Sequence, residues 1–113
     1  MENKVFIIAE MSGNHNQSLE RALEIVDLAA DAGVDALKIQ TYTADTITID
    51  KNDGEFFIED KNNLWQGESL YSLYQKAYTP WEWHKAILQR CRERGIIGFS
   101  TPFDFSAVDF LEE

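Results

Sequence analysis

"KVFIIAEMSGNHNQSLERALEIVDLAADAGVDALKIQT", residues 4–41, is the stretch that decides the fold. It opens on KVFIIAE (4–10), a short apolar run rich in β-formers, the pattern of a strand buried on both faces. Residues 11–17 then gather Ser, Gly, Asn and His, which reads as a loop. Ser18 is placed as an N-cap with Glu20 in the first turn. Behind it Leu19, Ala22, Leu23, Val26, Ala29 and Ala30 recur at the i, i+3, i+4 spacing of an amphipathic helix. Gly33 is positioned to stop that helix, and DALKIQT (35–41) returns to a strand. Strand, helix and strand in this span match a right-handed parallel βαβ unit. One residue does not fit a packing role. Glu10 puts a carboxylate at the last position of the first strand.

Outward from that unit, residues 42–63 form a long connection. In it TITID (46–50) and EFFIE (55–59) flank KNDG (51–54), which predicts a small hairpin turning at Asp53-Gly54. ESLYSLYQKAY (68–78) predicts a helix. Thr79-Pro80-Trp81-Glu82 reads as a capping box with proline at the first helical position, opening a helix to about Arg94 that Gly95 ends. IIGFS (96–100) is a third strand, and Ser106 with Asp109 starts a further helix. Repeated β/α steps favour an α/β parallel sheet, here the N-terminal part of a (β/α)₈ TIM barrel of roughly 250 residues in full.

Composition narrows the function. The chain has 113 residues, 20 acidic against 10 basic, for a net charge of −10. That balance argues against nucleic acid and anionic membrane surfaces, which need Lys and Arg to meet phosphates. No apolar stretch reaches the roughly 18–20 residues of a membrane helix, and MENKVF lacks the features of a signal peptide. A single cysteine, Cys91, offers neither a disulfide framework nor a metal-ligand spacing. The expected setting is the cytoplasm.

In parallel α/β folds the active site lies at the C-terminal ends of the strands. Alternation puts Phe6, Ile8 and Glu10 on one side of the first strand, and Lys38 and Gln40 on one side of the second. If the apolar parity of the second strand packs on helices, Lys38 and Gln40 point into the barrel, and the third strand delivers Ser100 and Thr101 at its tip. Each has a plainer role open to it. Glu10 could cap a helix or pair with Lys38, and Ser100-Thr101 could be no more than a helix-opening turn. A lysine inside a strand is harder to explain by packing, and an anion clamp is its natural use. His15 reads as a loop hydrogen-bonder and His84 as structural. Trp65, Tyr71, Tyr74, Tyr78, Trp81 and Trp83 read as packing between two helices, with a sugar site lined by some of them as the alternative, since aromatic faces stack on pyranose C–H surfaces.

Three motifs in order carry a family resemblance. IIAEMSGNHNQS followed by ADAGVDALKIQTY resembles the opening of the sialic acid synthase family, and STPFDFSAVDFLE resembles its third-strand segment. LWQGESLYSLYQKAYTPWEWH is most like the bacterial members that form pseudaminic acid. Asn16-Gln17 departs from the glycine many members carry near that point. The resemblance implies a TIM barrel followed by an antifreeze-like domain, of which residues 1–113 would be the N-terminal portion. It implies condensation of phosphoenolpyruvate with an open-chain N-acetylated amino sugar, giving a nonulosonic acid and phosphate. It also implies a divalent metal, Mn²⁺ or Mg²⁺, with ligands downstream of this chain, and a homodimer at full length. Carried over by position, Glu10 is the catalytic carboxylate, Lys38 and Gln40 bind substrate, and Ser100 and Thr101 contact phosphate. The 113-residue chain alone is expected to be inactive. Two other readings stay open: a different phosphoenolpyruvate-condensing sugar acid synthase, and a non-catalytic fragment or assembly module.

Overall fold

The computed structural model describes residues 4–51, 53–59, 63 and 67–113. Three strands, β1 (Ile8–Glu10), β2 (Ala36–Thr41) and β3 (Ile97–Pro102), form a parallel sheet in the order β1-β2-β3. Helix α1 (Leu19–Asp31) connects β1 to β2. The longer crossover to β3 carries α2 (Ala44–Ile47), α3 (Leu70–Ala77) and α4 (His84–Glu93), and α5 (Phe105–Glu112) follows β3. The α/β reading and the parallel strands are therefore as expected.

The helices start where their sequences say. Ser18 caps α1 by accepting from the Arg21 N–H, and Ser69 caps α3 by accepting from the Ser72 N–H. Gly33 and Gly95, at φ +87° and +74°, take the left-handed conformation that lets the chain leave α1 and α4 for the next strand. One face of the sheet packs on α1 and α4. Leu37 and Ile39 of β2 join Met11, Val26, Ile87 and Cys91 in a core with no meaningful solvent exposure. Gly98 lets β3 approach α4 closely: a Cβ there would sit 2.9 Å from Leu88 Cδ2 and 3.0 Å from the Cys91 Sγ. Outside that core, Arg90 of α4 and Arg94 just after it pair with Asp27 and Asp31 of α1. These half-exposed pairs fix helix alignment more than they add stability.

Four expectations change. The strand buried on both faces is not seen: β1 is short and at the sheet edge, with Phe6 57% and Ile8 48% exposed. Among the described residues the predicted hairpin around Asp53-Gly54 is absent. Its first arm lies in and after α2, residues 54–56 form a 3-10 turn, and Phe57 bridges antiparallel to Ser69. Local β-propensity there loses to capping by Thr43 and Thr46, whose side chains close the first turn of α2. Thr79 does not cap α4, because its hydroxyl is committed to His15; a 3-10 turn at Trp81–Trp83 leads into the helix instead. Finally, α5 is capped by Asp104, which accepts from the Ser106 and Ala107 N–H groups, so Ser106 lies inside the helix. Trp65 lies outside the described residues.

Candidate functional site

The second face of the sheet is open. Parallel register sets Ile8, Ala36 and Ile97 abreast, then Glu10, Lys38 and Phe99, then Gln40 and Thr101. Partners in a register row share a face, so the apolar rows lie toward the strand starts and the polar groups gather at the C-terminal ends. Lys38 Nζ lies 3.5 Å from Glu10 Oε2, and both side chains keep about a third of their surface, 29% and 37%. The other carboxylate oxygen, Oε1, accepts from the Ser12 hydroxyl at 3.1 Å. The carboxylate is thus held at both oxygens but remains reachable from the open face.

Four of the five expected residues come together: Glu10, Lys38, Gln40 and Thr101. Ser100 does not join them. It pairs with Ile39 in register and so belongs to the helix-facing side. There its hydroxyl donates to the Ile39 carbonyl at 3.1 Å and lies 2.5 Å from Thr41 Oγ1, which in turn lies 2.7 Å from His84 Nε2. Two adjacent residues of one strand cannot share a face, which is why Ser100 and Thr101 separate.

The loop after β1 is built as part of this end of the sheet. Ser12, Asn16 and Gln17 have φ of 50°, 50° and 56°, a region costly for side-chain-bearing residues. At Gln17 the strain is offset by long-range bonds. The Gln17 amide donates to the carbonyls of Lys76 and Tyr78, and the Gln17 N–H donates to His15 Nδ1. That acceptor role leaves His15 Nε2 as the N–H, which donates to Thr79 Oγ1 at 2.9 Å. His15 is fully buried against the edge of Trp83, and burial pushes its pKa down. Burial likewise lowers His84, opposed by the Pro80 and Trp81 backbone and by Glu82. Both histidines are neutral structural posts, as their sequence positions indicated.

Beyond Gln40 the open face continues into a cleft of about 250 Å³ between the β1 loop and α3. Gly13 forms part of its base, packed so closely that a Cβ would meet the Ala77 carbonyl at 2.8 Å. Tyr42 and Tyr74 line it with their rings edge-to-face at 5.4 Å. Burial, with the Tyr74 phenol beside it, pushes Tyr42 up to about 12, so its hydroxyl stays protonated. Sequence reading missed Ser12 and Tyr42, and had Tyr74 only as one of a set of aromatics that pack or line a site. Tyr42 follows Gln40 by two residues, the spacing that signals a shared face, but Tyr74 arrives from a distant helix.

Among the described residues no group of three or more His, Cys, Asp or Glu side chains could hold a metal ion. His15 and His84 are committed to threonine hydroxyls. This part of the chain does not fit a metal centre, and the expected divalent ion has no ligand set here. No helix among the described residues is long and apolar enough to cross a membrane.

The NeuB family pattern is matched over residues 25–113. The chain belongs to the NeuB family. It is 48% identical to a pseudaminic acid synthase of Campylobacter jejuni over 111 residues, 98% of this chain and 32% of that protein. Against the pseudaminic acid synthase of Helicobacter pylori it is 42% identical over 106 residues, 94% of this chain and 31% of that one. Among solved structures, the N-acetylneuraminic acid synthetase of Leptospira borgpetersenii superposes with a TM-score of 0.72 at 32% identity, covering 97% of this chain and 33% of that one. The resemblance drawn from the motifs is borne out. This NeuB-family chain spans about a third of the length of the relatives it matches.

Proposed function

We propose that this chain is the N-terminal portion of a nonulosonic acid synthase of the pseudaminic type, contributing three β/α steps to a (β/α)₈ barrel. The single observation that carries the reading is the row Glu10–Lys38, with Gln40 and Thr101 beside it, on an open sheet face at the strand C-termini. Three sequential parallel strands with one face packed on helices and the other open support the barrel. In this reading the remaining barrel strands and the antifreeze-like domain of a full synthase would lie outside these 113 residues.

In this reading the Lys38 ammonium holds the phosphoenolpyruvate anion. The methylene carbon of phosphoenolpyruvate forms a carbon–carbon bond with the aldehyde carbon of an N-acetylated amino sugar. The aldehyde oxygen takes up a proton and becomes a hydroxyl. Water adds to the oxocarbenium carbon left behind, and loss of phosphate returns a keto acid. Atoms balance with one water consumed and one phosphate released. Glu10, held by Ser12 and Lys38, is the group placed to bind sugar hydroxyls and move a proton at the aldehyde oxygen. Gln40 and Thr101 orient the substrates. The divalent ion that the family resemblance implies would be held by residues outside the described ones, where it would polarise the aldehyde oxygen.

The test is made in the full-length protein. Phosphate release should require both phosphoenolpyruvate and an N-acetylated amino sugar, and residues 1–113 alone should release none. Lys38→Met should raise KM for phosphoenolpyruvate far more than KM for the sugar. Glu10→Gln should lower turnover by about 100-fold or more while the protein unfolds near the wild-type temperature. Equal effects of Lys38→Met on both substrates, or early melting of Glu10→Gln with normal turnover, would reduce the pair to scaffolding.

A further inference from the structure

We infer that His84, Thr41 and Ser100 are positioning residues: a hydrogen-bonded relay behind the sheet that fixes Gln40 and Thr101 for the condensation. The inference rests on the synthase reading above and goes beyond it, because these three side chains lie on the helix-facing side and meet no substrate. Thr41 is fully buried and His84 nearly so. The geometry follows from strand alternation. Gln40 and Thr101 stand abreast on the open face, and their chain neighbours Thr41 and Ser100 point the other way. Thr41 Oγ1 lies 2.5 Å from Ser100 Oγ, so a side-chain bond crosses from β2 to β3 directly behind the substrate row. The backbone bond from the Phe103 N–H to the Thr41 carbonyl, 3.2 Å, closes the ladder at the same place. One residue on, the Tyr42 carbonyl accepts from Trp81 Nε1–H at 3.0 Å.

Each hydrogen in the relay has one place to go. A carbonyl only accepts, so the Ser100 hydroxyl spends its hydrogen on the Ile39 carbonyl at 3.1 Å. The hydrogen between Ser100 and Thr41 is then that of Thr41, and the 2.7 Å contact from Thr41 to His84 carries the hydrogen of Nε2. The proton is therefore absent from Nδ1, which is buried with no hydrogen-bond partner among the described residues. His84 is clamped in turn. The Phe110 ring of α5 stands edge-on to it at 5.3 Å and packs on Trp81 at 5.0 Å. The relay thus ties the tips of β2 and β3 to the start of α4 and to α5.

Stability does not account for this arrangement. A buried polar chain gains little over apolar side chains of the same shape, and a buried ring nitrogen without a partner is a cost. What a chain of short directional bonds does supply is a fixed spacing. The condensation uses it, because Gln40 and Thr101 orient two substrates, while the Lys38 ammonium two residues back along β2 supplies the attraction for the anion. Loss of the relay therefore shows in turnover rather than in binding.

Thr41→Val keeps the shape and removes the hydroxyl, and Thr41→Ser keeps the hydroxyl. The full-length enzyme is assayed by phosphate release from phosphoenolpyruvate and an N-acetylated amino sugar. Thr41→Val should lower kcat about tenfold with both KM values within about twofold of wild type, short of the roughly 100-fold that a 1 Å misplacement costs. Thr41→Ser should bring kcat back to within about twofold of wild type, because the relay is remade. Ser100→Ala breaks the relay at its other end and should lower kcat in the same way. Val26→Ala, in the core on the α1 side, is the control for stability: it should lower Tm and leave kcat of the folded enzyme unchanged. Normal kcat in Thr41→Val and Ser100→Ala, a Thr41→Ser as slow as Thr41→Val, an equal loss in Val26→Ala, or a rise in KM for phosphoenolpyruvate as large as the fall in kcat would overturn the relay while leaving the synthase reading standing. Absence of phosphate release from wild type would overturn both.

Discussion

Acidification from pH 7.5 to 5.5 should cost this protein stability through two residues, His15 and His84. Both are essentially buried, at 0% and 3% exposure, and burial depresses the pKa of each from 6.5. His15 has a further reason to stay neutral: Nδ1 accepts from the Gln17 N–H, and a proton there would destroy that bond. A histidine with a depressed folded pKa binds fewer protons folded than unfolded, so stability is complete above about 6.5 and falls as pH drops through the unfolded value. The upper limit, reached only by a site that stays neutral in the folded state across this interval, is about 1.4 kcal/mol gained by the unfolded state per site, or about 2.7 kcal/mol for both. The window isolates the histidines. Glu68 and Asp104 are held low by Lys76 and by Ser106, so their contributions are lost only at more acidic pH. Urea unfolding at pH 7.5 and 5.5 measures the difference directly. His15→Gln and His84→Gln will each lower stability at pH 7.5, because Thr79 and Thr41 lose their partners. The informative quantity is the difference between the two pH values, which should shrink in each single variant and vanish in the double. A wild type equally stable at both, or a double variant that keeps the full difference, would refute the assignment.

Ser100→Ala should cost about 1–2 kcal/mol through the lost bonds to Thr41 and the Ile39 carbonyl, yet leave KM for phosphoenolpyruvate in the full-length enzyme within about twofold; a large rise would return Ser100 to the substrate site. Gly98→Ala should destabilise by about 1–3 kcal/mol, because the new methyl meets Leu88 and Cys91 at 3.0 Å or less. Combined with Leu88→Ala, which removes the nearest atom, the loss measured by urea unfolding should be smaller than the sum of the two single losses.

The βαβ unit was legible in the sequence because its signals are local. Ser18 as a cap, the apolar stripe of α1 and Gly33 as a stop act within a few residues, and they compete with nothing stronger. Strand parity also reaches the site: the alternation in DALKIQT put Lys38 and Gln40 opposite the core-facing Leu37 and Ile39, as the register has them. Parity fails where the sequence does not say which member of an adjacent pair faces the helices. Ser100 and Thr101 look alike in sequence, and only pairing of Ser100 with Ile39 sends one to Thr41 and His84 and the other to the open face. The same limit applies to every contact across a long loop. Thr79 has the spacing of a cap, but a buried histidine 64 residues away needed its hydroxyl more. The β-rich residues after Tyr42 suited a hairpin, and the short helix α2 formed there instead. The cleft is the clearest case. Gln40, Tyr42 and Tyr74 become one surface only when α3 closes on the β1 loop, because local propensities set elements while long-range packing and hydrogen bonding decide which side chains meet.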